Sequence, residues 1–466
     1  MREIVNIHVG QCGNQIGYDF WEGVCQEHSI QPDLTCADYE LAEHHNTYFE
    51  EIDNGKFVPR AVLVDLEPGV HNRIAKQTYG SIFNPDMIYN DQPGSGNNFA
   101  MGFYSTGSEI IEEVMEGIRK QAEKCDCMEG FQLTHSLGGG TGSGLGSLVM
   151  QNLKGEFSDK MLTAYSVVPS IKNPEVVIQP YNSMLSMNYL IEECDSNVLI
   201  SNDSLNNISQ FSLKQKDVSI SFINKIVKRA MLETTSSLRF GGFNNAGMRK
   251  LNTNLCPFPR LHFLTTTLAP LSNMQDKIYD VMGARELVRE LFSSNNAICD
   301  VELTRGKLLT AAAIFRGDIE SSAAESSLAK LKQKNSGEFV EWIPDSLLSS
   351  ICSVPNADYS CSAVLLSNTT SIQSLFKTID DTFTPLLKRK AYMHHYIREG
   401  MEWSEMSEAQ MNMLDLINEY QQYEAATCDE EYEEDDDEEM EEEFGGFKTT
   451  HSHSDLHSTH ASSCKE

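Results

Sequence analysis

The sequence predicts an α/β protein: a Rossmann-like parallel-sheet domain, a second α/β domain, a C-terminal helical hairpin and a disordered acidic tail. Three observations predict it. Short apolar runs alternate with amphipathic helical stretches through the first part of the chain, the pattern of parallel strands joined by crossovers. From about Phe383 to Gln422 the periodicity is helical with no strand signal. From Asp429 to Glu443 every residue except Tyr432 and Met440 is Asp or Glu, a composition that repels itself and buries too little apolar surface to fold.

Taken in order, Ile4–Val9 reads as a strand that ends in Gly10 and feeds an amphipathic run from Gln11 toward Cys25. Ala61–Leu66 is a second strand, closed by the turn Glu67-Pro68-Gly69. Gly130–His135 is a third and runs into a glycine cluster; Thr163–Val168 is a fourth and stops at Pro169. A helical stretch from Phe222 to Leu238 precedes apolar strands around His262–Leu268 and Leu308–Phe315, giving the second α/β unit. The expected division is 1–203, 204–378, 379–427 and a tail over 428–466. No repeat of solenoid length is present.

A chain of 466 residues is too long for one ordinary core. Its formal net charge of −32 repels phosphate backbones and anionic headgroups, so nucleic acid is not an expected partner, and cationic proteins are. No segment is long and apolar enough to predict membrane insertion, and the start Met1-Arg2-Glu3-Ile4-Val5 lacks the apolar core of a signal peptide. The cytosol is the expected compartment. The twelve cysteines, irregularly spaced, read as reduced thiols, and Cys125-Asp126-Cys127 is too close for a metal or redox pair.

The sharpest motif is Gly138-Gly139-Gly140-Thr141-Gly142-Ser143-Gly144, set between a strand and the helical run Leu145–Leu153. Glycines let backbone N–H groups close on a phosphate, and the helix N-terminus adds positive potential. No Lys-Ser or Lys-Thr follows, so this is not a Walker A loop, and the spacing of a dinucleotide fold is absent. Three further loops end strands on the same edge: Gly10–Gln15, Asp65–Gly69 and Gln92–Asn98. Ligands of parallel sheets bind at that edge. Asp65 and Glu67 offer hard oxygen ligands for Mg²⁺, usually through water, while Asn and Gln supply neutral hydrogen bonds.

The glycine loop, the opening Gly10–Gly17 stretch, Asp65–Gly69 and Cys256-Pro257-Phe258-Pro259-Arg260-Leu261-His262-Phe263 together resemble the tubulin family, from Met1 to about Ala426. The resemblance implies a GTPase domain that binds GTP or GDP with Mg²⁺. Gln11, Cys12, Gln15, Asn97, Ser136, Gly140, Thr141, Gly142 and Glu175 would line the nucleotide, Asn202 and Asn224 would read the guanine edge, and Glu67 would serve the metal. The start Met1–Ile4, the short Cys352–Pro355 stretch and Arg249-Lys250 are similar to the β class. Lys250 stands where the α class carries the glutamate that activates water at the neighbouring subunit's nucleotide. In its charged form a lysine is no general base. Any GTPase activity would therefore depend on polymer contact with an α-tubulin-like partner. The acidic tail would recruit microtubule-associated proteins and motors.

Several positions depart from the β pattern. Ile220 replaces the aromatic residue that stacks on guanine, Gln179 replaces a glutamate near the ribose, and Gly247 replaces an interface aspartate. The segments Leu34–Asn54 and Leu271–Asp280, and the His-bearing extension Lys448–Glu466, also differ. Two readings stay open: a divergent β subunit of microtubules, or a minor class such as zeta-tubulin at centrioles or basal bodies.

Overall fold

Strand β1 (Glu3–Val9) is buried along its whole length, as befits a parallel strand covered on both faces. Its side chains leave alternately: Val5, Ile7 and Val9 enter one core and Ile4 the opposite one. The structure is a computed structural model, and it describes residues 2–37, 45–52, 55–215, 218–244, 247–271 and 282–426. The segment 38–44, the loop 272–281 and everything from 427 onward lie outside it. The expectations placed on the 271–280 loop, the acidic tail and the His-bearing extension therefore fall almost wholly outside the described residues.

After β1 come α1 (Gly10–Glu27), the hairpin β2 (Phe49–Ile52) and β3 (Lys56–Pro59), β4 (Ala61–Asp65), α2 (Gly69–Ile74), β5 (Ile88–Asn90), α3 (Thr106–Glu123), β6 (Met128–Ser136), α4 (Gly146–Glu156), β7 (Met161–Val168), α5 (Gln179–Glu193), β8 (Ser196–Ser201) and α6 (Asn202–Asn207). One π-helical turn opens α3 at Met101–Ser105, and another opens α4 at Thr141–Leu145. The chain then runs through α7 (Ile220–Thr234), α8 (Ser236–Arg239), β9 (Gly242–Phe243), α9 (Met248–Leu255), β10 (Phe263–Ala269), α10 (Ala284–Leu291), β11 (Leu308–Gly317), α11 (Ser321–Lys334), β12 (Leu347–Cys352) and β13 (Cys361–Thr369). It closes with α12 (Gln373–Lys388), α13 (Met393–Arg398) and α14 (Trp403–Ala425).

The two α/β units share one eleven-stranded sheet, ordered β5-β4-β1-β6-β7-β8-β10-β13-β11-β12-β9. Pairing is parallel from β5 through β10. Antiparallel β13 then sits between β10 and β11. The join is short: Asn197 pairs with Phe263 and Val198 with Leu264. Helices α1 and α7 cover one face, where Phe20, Trp21, Val24, Val227 and Met231 pack on β1, β4, β7 and β8. Helices α3, α4 and α5 cover the other, and α12 and α14 lie over α5, so the C-terminal helices complete the core that backs the glycine loop.

A buried ion cluster ties these parts together. Glu27, at the end of α1, meets Arg239 at 2.6 Å and Arg316 of β11 at 2.8 Å. Asn356 and Ser362 donate to Glu233 of α7 at 2.6 and 2.8 Å. Both arginines are 0% exposed, and each finds a carboxylate, which removes the large cost of an unpaired buried charge. All described cysteines are free thiols. Among the described residues no helix is long and apolar enough to cross a membrane.

Candidate functional site

The parallel register brings the carboxyl ends of β1, β4, β5, β6, β7 and β8 to one edge, and each predicted loop leaves from it. Gly10 turns the chain from β1 into α1 with φ +75, a left-handed conformation that favours glycine. A Cβ there would sit 2.9 Å from the Gly142 nitrogen, so the first turn of α1 lies directly on the glycine loop. Gln11 and Cys12 follow on that first turn and Gln15 on the next, Gln11 exposed and the other two half-buried. Burial pushes the Cys12 thiol up to about 12, with nearby Glu175 adding to the effect, so the group is a neutral thiol at ordinary pH.

The loop itself is held from behind. His135 is buried, which pushes its pKa down to about 4 and leaves it neutral. Nδ1 donates to the Gly142 carbonyl at 2.9 Å, because a carbonyl only accepts, and Nε2 takes the Ser166 hydroxyl at 2.9 Å. The Ser143 hydroxyl donates back to the Gly139 carbonyl. Ser136 lies under Gly142, where a Cβ would meet the Ser136 oxygens at 2.8 Å. Across the cleft, Thr141 Oγ1 is 3.0 Å from Ser95 Oγ. A Cβ on Gly140 would strike the Asn98 nitrogen at 2.5 Å, so loops 92–98 and 138–144 touch backbone to backbone. Gly94, Gly96 and Asn97 all take positive φ (69, 53 and 58), which folds that loop tightly with Asn97 exposed.

Glu67 also belongs to this wall. Its Oε1 lies 2.6 Å from where a Gly94 Cβ would stand, and the residue is exposed. Beside it Asp65 is 2% exposed, and its Oδ2 has no hydrogen-bond partner. Burial pushes that carboxyl up to about 7, against the pull of the Leu66 and Glu67 N–H groups. An orphaned buried carboxylate oxygen next to an exposed glutamate suits a hydrated divalent cation.

On the far side, Asn202 begins α6, and its neighbour Asp203 accepts from the Ser170 hydroxyl at 2.5 Å and the Ile171 N–H at 2.9 Å. That bond holds the segment leading to Glu175, which is exposed. Asn224 is 8% exposed on α7, one helical turn beyond Ile220, which is 65% exposed. Gln179 is buried, donates to the Ser170 carbonyl at 2.9 Å, and has its Cγ 3.3 Å from where a Gly138 Cβ would stand. The structure thus sets the first turn of α1, loops 92–98 and 136–142 and Glu67 against one another. The Glu175 carboxylate is near enough to act on the Cys12 thiol electrostatically, while Asn202 and Asn224 sit on α6 and α7.

Sequence reasoning missed two supports. Asn182 is wholly buried and touches both loops, but nothing distinguishes an internal asparagine of an amphipathic helix in the sequence. Asp203 carried a signal, since an acid in the first turn after a strand is a common anchor for a neighbouring loop.

A family model described as the Tubulin/FtsZ family, GTPase domain, matches residues 3–210, and one for the Tubulin C-terminal domain matches residues 259–381. A tubulin beta-1 chain of Geotrichum candidum is 44% identical over 433 residues, covering 92% of this chain and 97% of that relative. With both models matched in order and this relative aligned nearly end to end, the chain belongs to the tubulin family.

Proposed function

We propose that the chain is a GTP-binding subunit of microtubules, the β-like partner of an α-type tubulin. The observation that carries this reading is the contact of the β1–α1 turn with the glycine loop, 2.9 Å from Gly142 N to the Gly10 Cβ position, at the common edge of the parallel strands. Such closeness leaves main-chain N–H groups and two helix N-termini facing one anion. In this reading Gln11, Ser136, Gly140, Thr141 and Gly142 hold the phosphates; Cys12, Gln15, Asn97 and Glu175 line the cleft; Asn202 and Asn224 read guanine. Glu67, with Asp65 behind it, holds Mg²⁺ through water, which would neutralise phosphate charge.

Hydrolysis is attack of water on the γ-phosphorus with loss of the bond to the bridging oxygen, driven by positioning and charge stabilisation. In this reading the base for this chain's nucleotide is the glutamate of the α-type neighbour, while Lys250, which donates to Asn244 at 3.2 Å, supplies no base to the nucleotide of the subunit it faces. The location follows the same reading: cytoskeletal microtubules, with the tail offered to basic accessory proteins and motors. The minor-class alternative, at centrioles or basal bodies, draws support from Gly247, whose missing side-chain space is filled by Arg2 and Glu129.

The test is to purify tagged chain from ciliated, dividing cells, assay for bound guanine nucleotide and α-tubulin, and image it beside a centriole marker. Co-purified α-tubulin with signal along spindle and ciliary microtubules supports the subunit reading. Absence of bound guanine nucleotide and of α-tubulin sinks it, and signal confined to centriolar spots favours the alternative.

A further inference from the structure

Asn182 on α5 is 0% exposed and uses every hydrogen-bonding valence of its amide. Nδ2 donates to the Asn97 carbonyl at 2.7 Å and to the Gly138 carbonyl at 2.9 Å. Oδ1 accepts the Phe99 N–H at 3.1 Å and the Tyr396 hydroxyl at 2.7 Å. Carbonyls only accept and N–H groups only donate, so these partners admit a single orientation of the amide. One side chain therefore grips both loops that form the phosphate end of the cleft, and its fourth bond comes from α13.

Helix α13 is tethered to the same region once more, where Asn98 Nδ2 donates to the His395 carbonyl at 3.2 Å, and just before the helix Tyr181 donates to the Ala391 carbonyl at 2.9 Å. Tyr396 is fully buried, stacked edge-on against Tyr181 at 5.5 Å. On the same short helix Ile397 is 52% exposed. The element that orients Asn182 is thus also a surface element.

We infer that Asn182 is a positioning residue that sets the spacing of loops 92–98 and 138–144, and that Tyr396 fixes its amide, so that α13 and nucleotide binding are coupled. The inference rests on the nucleotide reading above. Removing the Tyr396 hydroxyl frees Oδ1 on one side and lets the amide pivot, loosening both loops. An aspartate at 182 would turn two donations into repulsion against two carbonyls. Tyr181 supplies the control, because its hydroxyl bonds the same C-terminal segment without touching Asn182.

The experiment uses the full chain purified with Tyr396→Phe, Tyr181→Phe and Asn182→Asp variants, titrated with a fluorescent GDP derivative and followed by hydrogen exchange. Tyr396→Phe is expected to weaken GDP roughly 2- to 10-fold, and Asn182→Asp roughly 10-fold or more. Exchange should rise in loops 92–98 and 138–144 for Tyr396→Phe alone, although both tyrosine variants lose similar thermal stability. Equal GDP affinity and equal loop exchange in the two tyrosine variants overturns the inference while leaving the nucleotide reading intact. A wild-type chain that binds no GDP overturns both.

Discussion

At residue scale the site is a set of close approaches completed by single atoms, and Ile220 is the place where the proposed nucleotide reading expects the weakest contact. It stands at the first position of α7, 65% exposed, one turn before the buried Asn224. In the proposed nucleotide reading, an aliphatic side chain there would contact the base without the stacking an aromatic ring provides. Ile220→Tyr should therefore tighten guanine nucleotide roughly 2- to 10-fold, measured by titration with labelled GDP. Unchanged affinity would show that α7 does not place this residue over the base. His8 carries a second prediction. Its Nε2 accepts the Trp21 N–H at 3.1 Å, and burial pushes its pKa from 6.5 down to about 3. A base depressed in the folded state leaves the unfolded chain holding more protons between those values. Stability is then full above about pH 6.5 and falls on acidification. Asp19, raised to about 6 by burial, acts in the opposite sense, so the histidine is isolated by difference. Relative to His8→Gln, the wild type should lose on the order of 2 kcal/mol between pH 7 and pH 5, read from denaturant midpoints. A pH-independent difference refutes it.

At element scale, α9 shows how a departure in sequence is absorbed. Gly247 caps that helix with extended backbone and no side-chain oxygen. Glu129 of β6 takes over: its Oε1 accepts the Arg249 N–H at 3.1 Å and pairs with Arg2 at 3.4 Å. A Cβ on Gly247 would fall 2.5 Å from that same oxygen. Glu129→Ala should cost about 1 kcal/mol, the worth of an N-terminal cap. Gly247→Asp should destabilise the wild type, through crowding and like charge, yet stabilise the Glu129→Ala background. Additive effects in that double-mutant cycle would exclude the exchange. The same comparison shows where the sequence was legible. Strands β1, β4, β6, β7, β10 and β11 announced themselves as apolar runs closing on glycine or polar loops. Strands β5 and β8 did not: one spans only Ile88–Asn90, and the other has just Val198–Ile200 as an apolar run between Ser196-Asn197 and Ser201. The loops of the site were readable because glycine and carboxylate chemistry is local. The roles of Asn182 and Glu129 were not, because each is defined by partners dozens of residues away.

At the scale of the whole molecule, the question is whether two α/β units make two bodies. Each unit reads as a separate pattern, but the β8–β10 pairing makes their strands one sheet, and residues Met1–Cys428 form one compact unit. The join is reinforced on both faces. Val198 and Leu264 share a core with Val227 and Met231 of α7, and Phe263 shares the opposite core with Phe376 and Tyr420 of the C-terminal helices. The Glu27–Arg316 pair, at 2.8 Å, adds a buried link between α1 and β11. With apolar layers and an ion pair crossing the junction, opening one unit exposes the core of the other. Calorimetric unfolding of the full chain should therefore show one transition. GDP at about 100 times its dissociation constant adds about 2.7 kcal/mol of stability, and it should move that transition as a whole. Leu264→Ala, a cavity at the join costing about 2–5 kcal/mol, should lower the same single transition and keep its nucleotide shift. Two transitions, with only one responding to GDP and the other to Leu264→Ala, would mean that the shared sheet does not make the units cooperative.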